Sequence, residues 1–232
     1  MKIYAISDLH LSINNPKPMD IFGRKWDNYV EKICADWNAK VTENDIVLIA
    51  GDISWAMSLE NAVPDLLFIG ALAGHKVILR GNHDYWWKSI SGVRAALPQK
   101  MYAVQNDAVR IGDCVICGSR GWTVPETEGV FESEEDKKIY LREVERLKLS
   151  LQAAAKIRRE GDRTVCMTHY PPFNLKWEDS DYTRLISGAG IEACVYGHLH
   201  GFNTRKEYVA AKGGTRYILS SCDLVGNQLI EI

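Results

Sequence analysis

Short apolar runs in this chain repeatedly stop at residues that can hold a metal ion. Residues 2–7 lead into Asp8-Leu9-His10, residues 45–50 into Gly51-Asp52, and residues 75–79 into Arg80-Gly81-Asn82-His83-Asp84. Later, residues 163–168 lead into His169 and residues 191–196 into Gly197-His198-Leu199-His200-Gly201. A run such as Ile46-Val47-Leu48-Ile49-Ala50 shows no polar alternation, the pattern of a strand covered on both faces. Covered strands separated by helical stretches imply an α/β fold, and open α/β sheets carry their chemistry at the carboxyl ends of the strands. The chain is therefore expected to gather these exits at one edge.

Composition narrows what that edge can serve. The 232 residues, with a formal net charge of −2 and no basic stripe, suit one domain over residues 1–232 and disfavour a nucleic-acid partner. Residues 1–6 are too short for a signal-peptide core, and the longest apolar stretch, 66–74, falls short of the roughly 20 residues a membrane span needs. A cytoplasmic protein with no membrane partner is expected. The six cysteines agree, because Cys114, Cys117, Cys166 and Cys194 sit as small hydrophobes within apolar runs. Cys114-Val-Ile-Cys117 has the outline of a metal pair, but residues three apart on a strand face opposite ways.

Between the strands the patterning is mostly helical. Residues 12–23 read as a loop; Trp26, Val30, Cys34 and Trp37 then repeat at helical spacing, and residues 58–73 supply a second helix. Tyr85-Trp86-Trp87 reads as the start of another, with at most one of its indoles facing the motif before it. Residues 101–118 read as short antiparallel strands, and Arg120 just beyond them is a candidate for touching an anion. From Ser133 to Glu160 a long helix is expected, with a capping box between Ser133 and Asp136 and an apolar stripe of Tyr140, Val144, Leu147, Leu151 and Ala154. Its charges read as a solvated face. The tail from 207 to 232 reads as strands closing a second sheet.

The polar exits carry the chemistry. In extended backbone the side chains of Asp8 and His10 point to one side, as do those of His198 and His200. Asp52 offers two oxygens and can join two cations. His75 lies at the opposite end of its strand and reads as structural.

Taken in order, Asp8-x-His10, Gly51-Asp52, Gly81-Asn82-His83-Asp84, His169 and Gly197-His198-x-His200 resemble the complete signature of the calcineurin-like metallophosphoesterase superfamily. The resemblance implies a four-layer αββα sandwich, two mixed β-sheets face to face with helices outside. It implies two divalent metal ions: Asp8, His10, Asp52 and His200 on the first, Asp52, Asn82, His169 and His198 on the second, with Asp52 bridging. His83 would be the catalytic imidazole, held by Asp84. The implied activity is hydrolysis of a small-molecule phosphomonoester or phosphodiester by in-line attack of a metal-bridging hydroxide. The charges of Asp8, Asp52 and that hydroxide leave the ion pair net positive, a balance that attracts phosphate.

Departures from the family pattern narrow the match. Protein serine/threonine phosphatases usually continue Gly-Asp with Asp-Arg-Gly and end the third motif in Glu, unlike Ile53-Ser54-Trp55 and Asp84 here. UDP-diacylglucosamine hydrolases carry Arg where this chain has His83. Class III cyclic-nucleotide phosphodiesterases and small bacterial phosphohydrolases are most similar in motif. The alternatives are a nuclease, for which residues after 200 leave little room for a capping domain, and a non-catalytic scaffold, which typically has lost ligands. Mixed nitrogen and oxygen donors suit Mn, Fe, Zn, Co or Ni alike.

Overall fold

The computed structural model describes residues 1–14, 16–201 and 209–232. Asn15 and the start of the expected tail, Glu207 and Tyr208, lie outside the described residues. The elements are β1 (Ile3–Ile6), α1 (Tyr29–Lys40), β2 (Ile46–Ile49), α2 (Leu59–Ala71), β3 (His75–Leu79), α3 (Ile90–Ala96), β4 (Met101–Val104), β5 (Ala108–Ile111), β6 (Cys114–Ser119), α4 (Glu134–Ile157), β7 (Arg163–Thr168), α5 (Asp181–Gly188), β8 (Ala193–Tyr196), β9 (Val209–Lys212), β10 (Thr215–Leu219) and β11 (Ile230–Glu231).

They form two mixed sheets in the expected α/β sandwich, ordered β11-β1-β2-β3-β4 and β5-β6-β7-β8-β10-β9. In both sheets the central strands run parallel, and antiparallel pairing is confined to the edge strands β11, β5 and β9. The unbroken apolar runs explain the layering. Ile3, Ala5, Ile46, Leu48, Val77 and Leu79 meet Cys114, Ile116, Val165, Met167, Ala193 and Val195 between the sheets. Their alternate neighbours Tyr4, Ile6, Val47, Ile49 and Ile78 pack under Ile33, Trp37, Leu66 and Ile69 of α1 and α2. On the far side Val115, Cys117, Cys166 and Cys194 pack under Tyr140, Leu147 and Leu151 of α4 and Ile186 of α5. Each central strand thus buries both of its faces, at roughly 25 cal/mol per Å² of apolar surface removed from water. Cys114 and Cys117 fall in different layers, as their spacing predicts, and all six cysteines are free thiols.

Lys76 is a charged side chain inside this pattern. It is 1% exposed, and its Nζ donates to the carbonyls of Gly70, Leu72 and Gly74 at 3.1, 2.7 and 2.9 Å. A cation there satisfies the carbonyls that α2 leaves open at its end.

Several sequence expectations are corrected. Tyr85–Trp87 forms a turn, and α3 starts only after the Ser89 cap. Neither indole faces outward: Trp86 and Trp87 are both buried, with Nε1 donating to Asp84 Oδ1 and Gln105 Oε1 respectively. These two acceptors hold the chain in a turn where its apolar spacing suggested a helix. β4 is not part of an antiparallel set; it adds parallel to β3, and the chain crosses to the second sheet before β5. The tail is likewise divided, β9 and β10 joining the second sheet and β11 the first. Helix α4 is capped by Ser133 Oγ accepting from Asp136 N at 3.0 Å, while the Asp136 carboxylate takes the Trp122 indole N–H and no reciprocal box forms. The charges of α4 are not all solvated, since Glu143 is 1% exposed and ion-paired to Arg120, Arg142 and Arg146. Helix α5 opens on a reciprocal capping box between Ser180 and Thr183.

Candidate metal centre

The carboxyl ends of the parallel strands from both sheets meet at one edge of the sandwich. Past β1 and β2 the two exits keep pairing, with Asp8 N donating to Gly51 O, His10 N to Asp52 O and Leu11 N to Ile53 O, all at 2.9 Å. The second sheet is tied in by His169 Nδ1, which donates to Ala50 O at 2.9 Å, and by His198 N, which donates to the Asp8 carboxylate at 3.1 Å.

Asp8 and His10 do converge, but not by strand alternation. Both lie in the left-handed region, with φ of 58° and 44°, as do Asp52 at 52° and His198 at 71°. Non-glycine residues reach that region at an energetic cost, and such strain clusters at functional sites. Glycines make the approach tight. A Cβ on Gly81 would overlap Asp52, and one on Gly197 would overlap Ser7 and Asp8.

All seven expected donors come together, in two sets. His10 Nε2 faces Asp52 Oδ2 at 3.7 Å and His200 Nε2 at 3.4 Å, and His200 Nε2 faces Asp8 Oδ1 at 3.5 Å. On the other side Asn82 Oδ1 meets His169 Nε2 at 2.7 Å and His198 Nδ1 at 2.9 Å, with Asp52 Oδ1 at 3.5 Å from His169 Nε2. Asp52 thus turns one oxygen to each set. Ligating atoms of Asp8, His10 and His200 lie within 4.8 Å of one another, as do those of Asp8, Asp52 and His169.

The protonation pattern shows what these sets suit. His169 donates its Nδ1 proton to Ala50, so its Nε2 presents a lone pair to the Asn82 oxygen with no proton between them. Asp52 Oδ2 is a buried carboxylate oxygen without a hydrogen-bond donor among the described residues. Such a group is costly unless a cation meets it. Burial draws His10 down to about 3 and His169 and His198 to about 4, leaving neutral imidazoles, the form that binds metal. Burial, reinforced by the Asp8 and Asp84 charges, pushes Asp52 up to about 9. Burial opposes charge on His200 too, but its bonds to Asp223 and Asp8 prevail and raise it to about 10. Without a cation, these two groups take up protons where negative charge is concentrated. The donors could hold divalent metal, and mixed imidazole, carboxylate and amide ligation suits several first-row metals.

Around the donors, His83 stands with its backbone N–H on Asp52 Oδ1 at 2.8 Å and its ring 5.6 Å from that of His10. Asp84 does not hold this imidazole. Its Oδ1 accepts from Ile53 N, Ser54 N and Trp86 Nε1 at 2.9, 3.2 and 2.9 Å, and its Oδ2 from Gly81 N at 2.7 Å. The carboxylate ties the second motif to the third, and His83 Nδ1 is buried without a partner among the described residues. Arg120 lies behind His169, its carbonyl accepting from the N–H groups of His169 and Tyr170 at 2.9 and 3.0 Å. Its guanidinium sits over the Trp122 ring and 3.4 Å from Glu143.

Three neighbours escaped the sequence reading. Trp55 stacks on His10 at 4.6 Å and lies 4.8 Å from His83. Arg80 is half-buried, and burial together with the Arg120 charge pulls it below the usual guanidinium range. Asp223 Oδ1 accepts from His200 Nδ1 at 2.9 Å. The first two stand inside or beside recognised motifs and could have been flagged; Asp223, in Cys222-Asp223-Leu224, carries no local signal.

Comparison with known proteins gives one family. A search among curated sequences finds no match. Solved structures that share the fold include a protein of unknown function from Aquifex aeolicus, AQ665, at TM-score 0.50 and 15% identity over 99% of this chain and 95% of that one. A phosphopantetheinyl hydrolase from Mycobacterium tuberculosis matches at 0.57 and 12% over 100% and 95%, and TT1561 of Thermus thermophilus at 0.59 and 11% over 100% and 97%. At such identities the likeness is one of fold alone. The model of the calcineurin-like phosphoesterase family, however, matches residues 1–202, a span that contains every expected donor, and the chain belongs to that family.

Proposed function

We propose that this protein is a dinuclear metal-dependent phosphoesterase that hydrolyses phosphomonoesters or phosphodiesters of small molecules in the cytoplasm. The observation that carries this reading is the pair of donor sets sharing Asp52, in one of which a lone pair of His169 faces the Asn82 oxygen with no proton between them. Asp8, His10, Asp52 and His200 would hold the first cation, and Asp52, Asn82, His169 and His198 the second. Such a pair supplies Lewis acidity, activating water as the nucleophile and neutralising phosphoryl charge.

The remaining work falls to side chains of this chain. His83 has its Nδ1 buried, which leaves Nε2 to give a proton to the departing oxygen. Burial also lowers its affinity for that proton, which suits a group that must release it. The departing group would lie beside Trp55 and Tyr85, whose rings stand 4.8 and 6.1 Å from that of His83. Arg120 is assigned to an anionic part of the substrate, with Glu143 fixing the guanidinium. The six free thiols agree with a reducing compartment. A formal net charge of −2 does not favour a nuclease, and a scaffold would not require a complete donor set.

The test is turnover of a chromogenic phosphodiester and phosphomonoester with Mn²⁺. The Asn82→Ala, His169→Ala double variant should abolish it. His83→Ala should lose a factor of roughly 10²–10⁴ in rate while keeping its metal, the typical worth of general acid catalysis. Asp52→Ala should lose metal. Undiminished turnover in the double variant, or equal metal loss in His83→Ala and Asp52→Ala, would refute the assignment.

A further inference from the structure

Among the four imidazoles of the donor sets, His200 is held differently from the others. His169 is fixed by a backbone carbonyl, His198 Nδ1 faces Asn82, and His10 Nδ1 has no partner among the described residues. His200 Nδ1 instead donates to Asp223 Oδ1 at 2.9 Å, and the second oxygen of that carboxylate accepts from Gly201 N at 3.1 Å. The Asp223 side chain is 1% exposed. It is delivered by the exit of β10, and that exit is stitched to the exit of β1: Ser7 N donates to Ser220 O at 2.8 Å and Cys222 N to Ser7 O at 3.1 Å. A buried carboxylate on a backbone anchored in this way sets both the tautomer and the tilt of the ring it accepts from. With one proton held on Nδ1 by Asp223, Nε2 is the nitrogen turned toward Asp8 and His10. Imidazoles that bind metals are commonly backed by a carboxylate in this manner, and removing the backing group typically costs 10–100-fold in metal affinity.

We propose that Asp223 is a positioning residue for the first cation site, orienting His200 and holding the tautomer in which Nε2 can ligate. The family match covers residues 1–202, and Asp223 lies outside that span. The inference rests on the two-cation reading above, and it adds that the two sites are unequal in their support. The first depends on a carboxylate from the chain's last strands, and the second does not.

The experiment is calorimetric titration of chelator-treated protein with Mn²⁺, for the wild type, Asp223→Leu and Asp223→Asn, alongside thermal unfolding of the metal-free forms. Asp223→Leu should bind at one site with the wild-type affinity and at the other about 10–100-fold more weakly, the usual effect of losing such a partner. Asp223→Asn keeps an oxygen for His200 but sets an amide N–H₂ near Gly201 N–H, and should fall between the two. Turnover by either variant should recover as Mn²⁺ is raised. Two wild-type affinities in Asp223→Asn, or parallel weakening of both sites in either variant, would overturn the proposal. If Asp223→Leu does not fold, the Asp223→Asn titration decides alone. A wild type that takes up no Mn²⁺ would instead sink the two-cation reading itself.

Discussion

Replacing Asp84 separates two accounts of a motif residue. The family pattern makes it the clamp on a catalytic imidazole, whereas its four accepted hydrogen bonds make it a tie between two turns. Asp84→Ala would leave the N–H groups of Ile53, Ser54 and Gly81 and the indole of Trp86 facing a space that is closed to solvent. Each buried donor without a partner costs about 1–3 kcal/mol. Because water can enter the vacated volume and serve some of them, a total of about 3–6 kcal/mol is expected, at the upper end of single-site effects. Asp84→Asn keeps an oxygen for the three donors on the Oδ1 side but sets an N–H₂ against Gly81 N–H, so a loss nearer 2 kcal/mol is expected. Urea unfolding of the metal-free protein, followed by tryptophan fluorescence, measures both. The tie would be refuted if Asp84→Ala unfolded at the wild-type urea concentration while turnover fell a hundredfold, because that pattern belongs to a group acting only on His83.

Two further outcomes follow from the same contacts. Gly81→Ala should release bound metal and lower the melting temperature, because its Cβ would overlap the Asp52 carboxylate while its backbone lies outside the left-handed region; metal content after dialysis checks this. The metal-free protein should be most stable near pH 6–6.5, with flanks set by opposing titrations. Below about pH 6.5 the unfolded chain protonates His10, His169 and His198, whose folded values are about 3, 4 and 4, so stability falls as pH drops toward 4. Asp52 and His200, raised to about 9 and 10 in the fold, hold protons that the unfolded chain has given up, so stability also declines as pH rises through that range. Asp52 partly offsets the acid flank. A melting temperature that did not fall between pH 6.5 and pH 4.5 would contradict this balance.

The candidate centre was legible to the extent that it hangs on parallel strands. Ile46–Ile49 and His75–Leu79 announce themselves as doubly covered, and the residue that follows such a run is placed by the sheet itself, so Asp52 and Asn82 fell where they were expected. How Asp8 and His10 converge was not legible, because a positive φ at an aspartate or histidine is imposed by the surroundings and leaves no mark on spacing. The Tyr85–Trp87 turn was missed for a related reason: its acceptors, Asp84 and Gln105, compete with helix formation through side chains, one of them distant in the chain. Glu143 shows the limit of charge patterning. Its run reads as solvated until Arg120, from another element, turns out to cover it. Asp223 was invisible because a lone acidic residue gains meaning only from the imidazole opposite.

The donors come from both halves of the sandwich, Asp8, His10, Asp52 and Asn82 from one sheet and His169, His198 and His200 from the other. An occupied centre would therefore rivet the halves together at the edge where the hydrophobic seam ends, and emptying it would let that edge fray first. Cells starved of the ion would then lose the protein as well as its turnover, since a loosened seam is what proteases find.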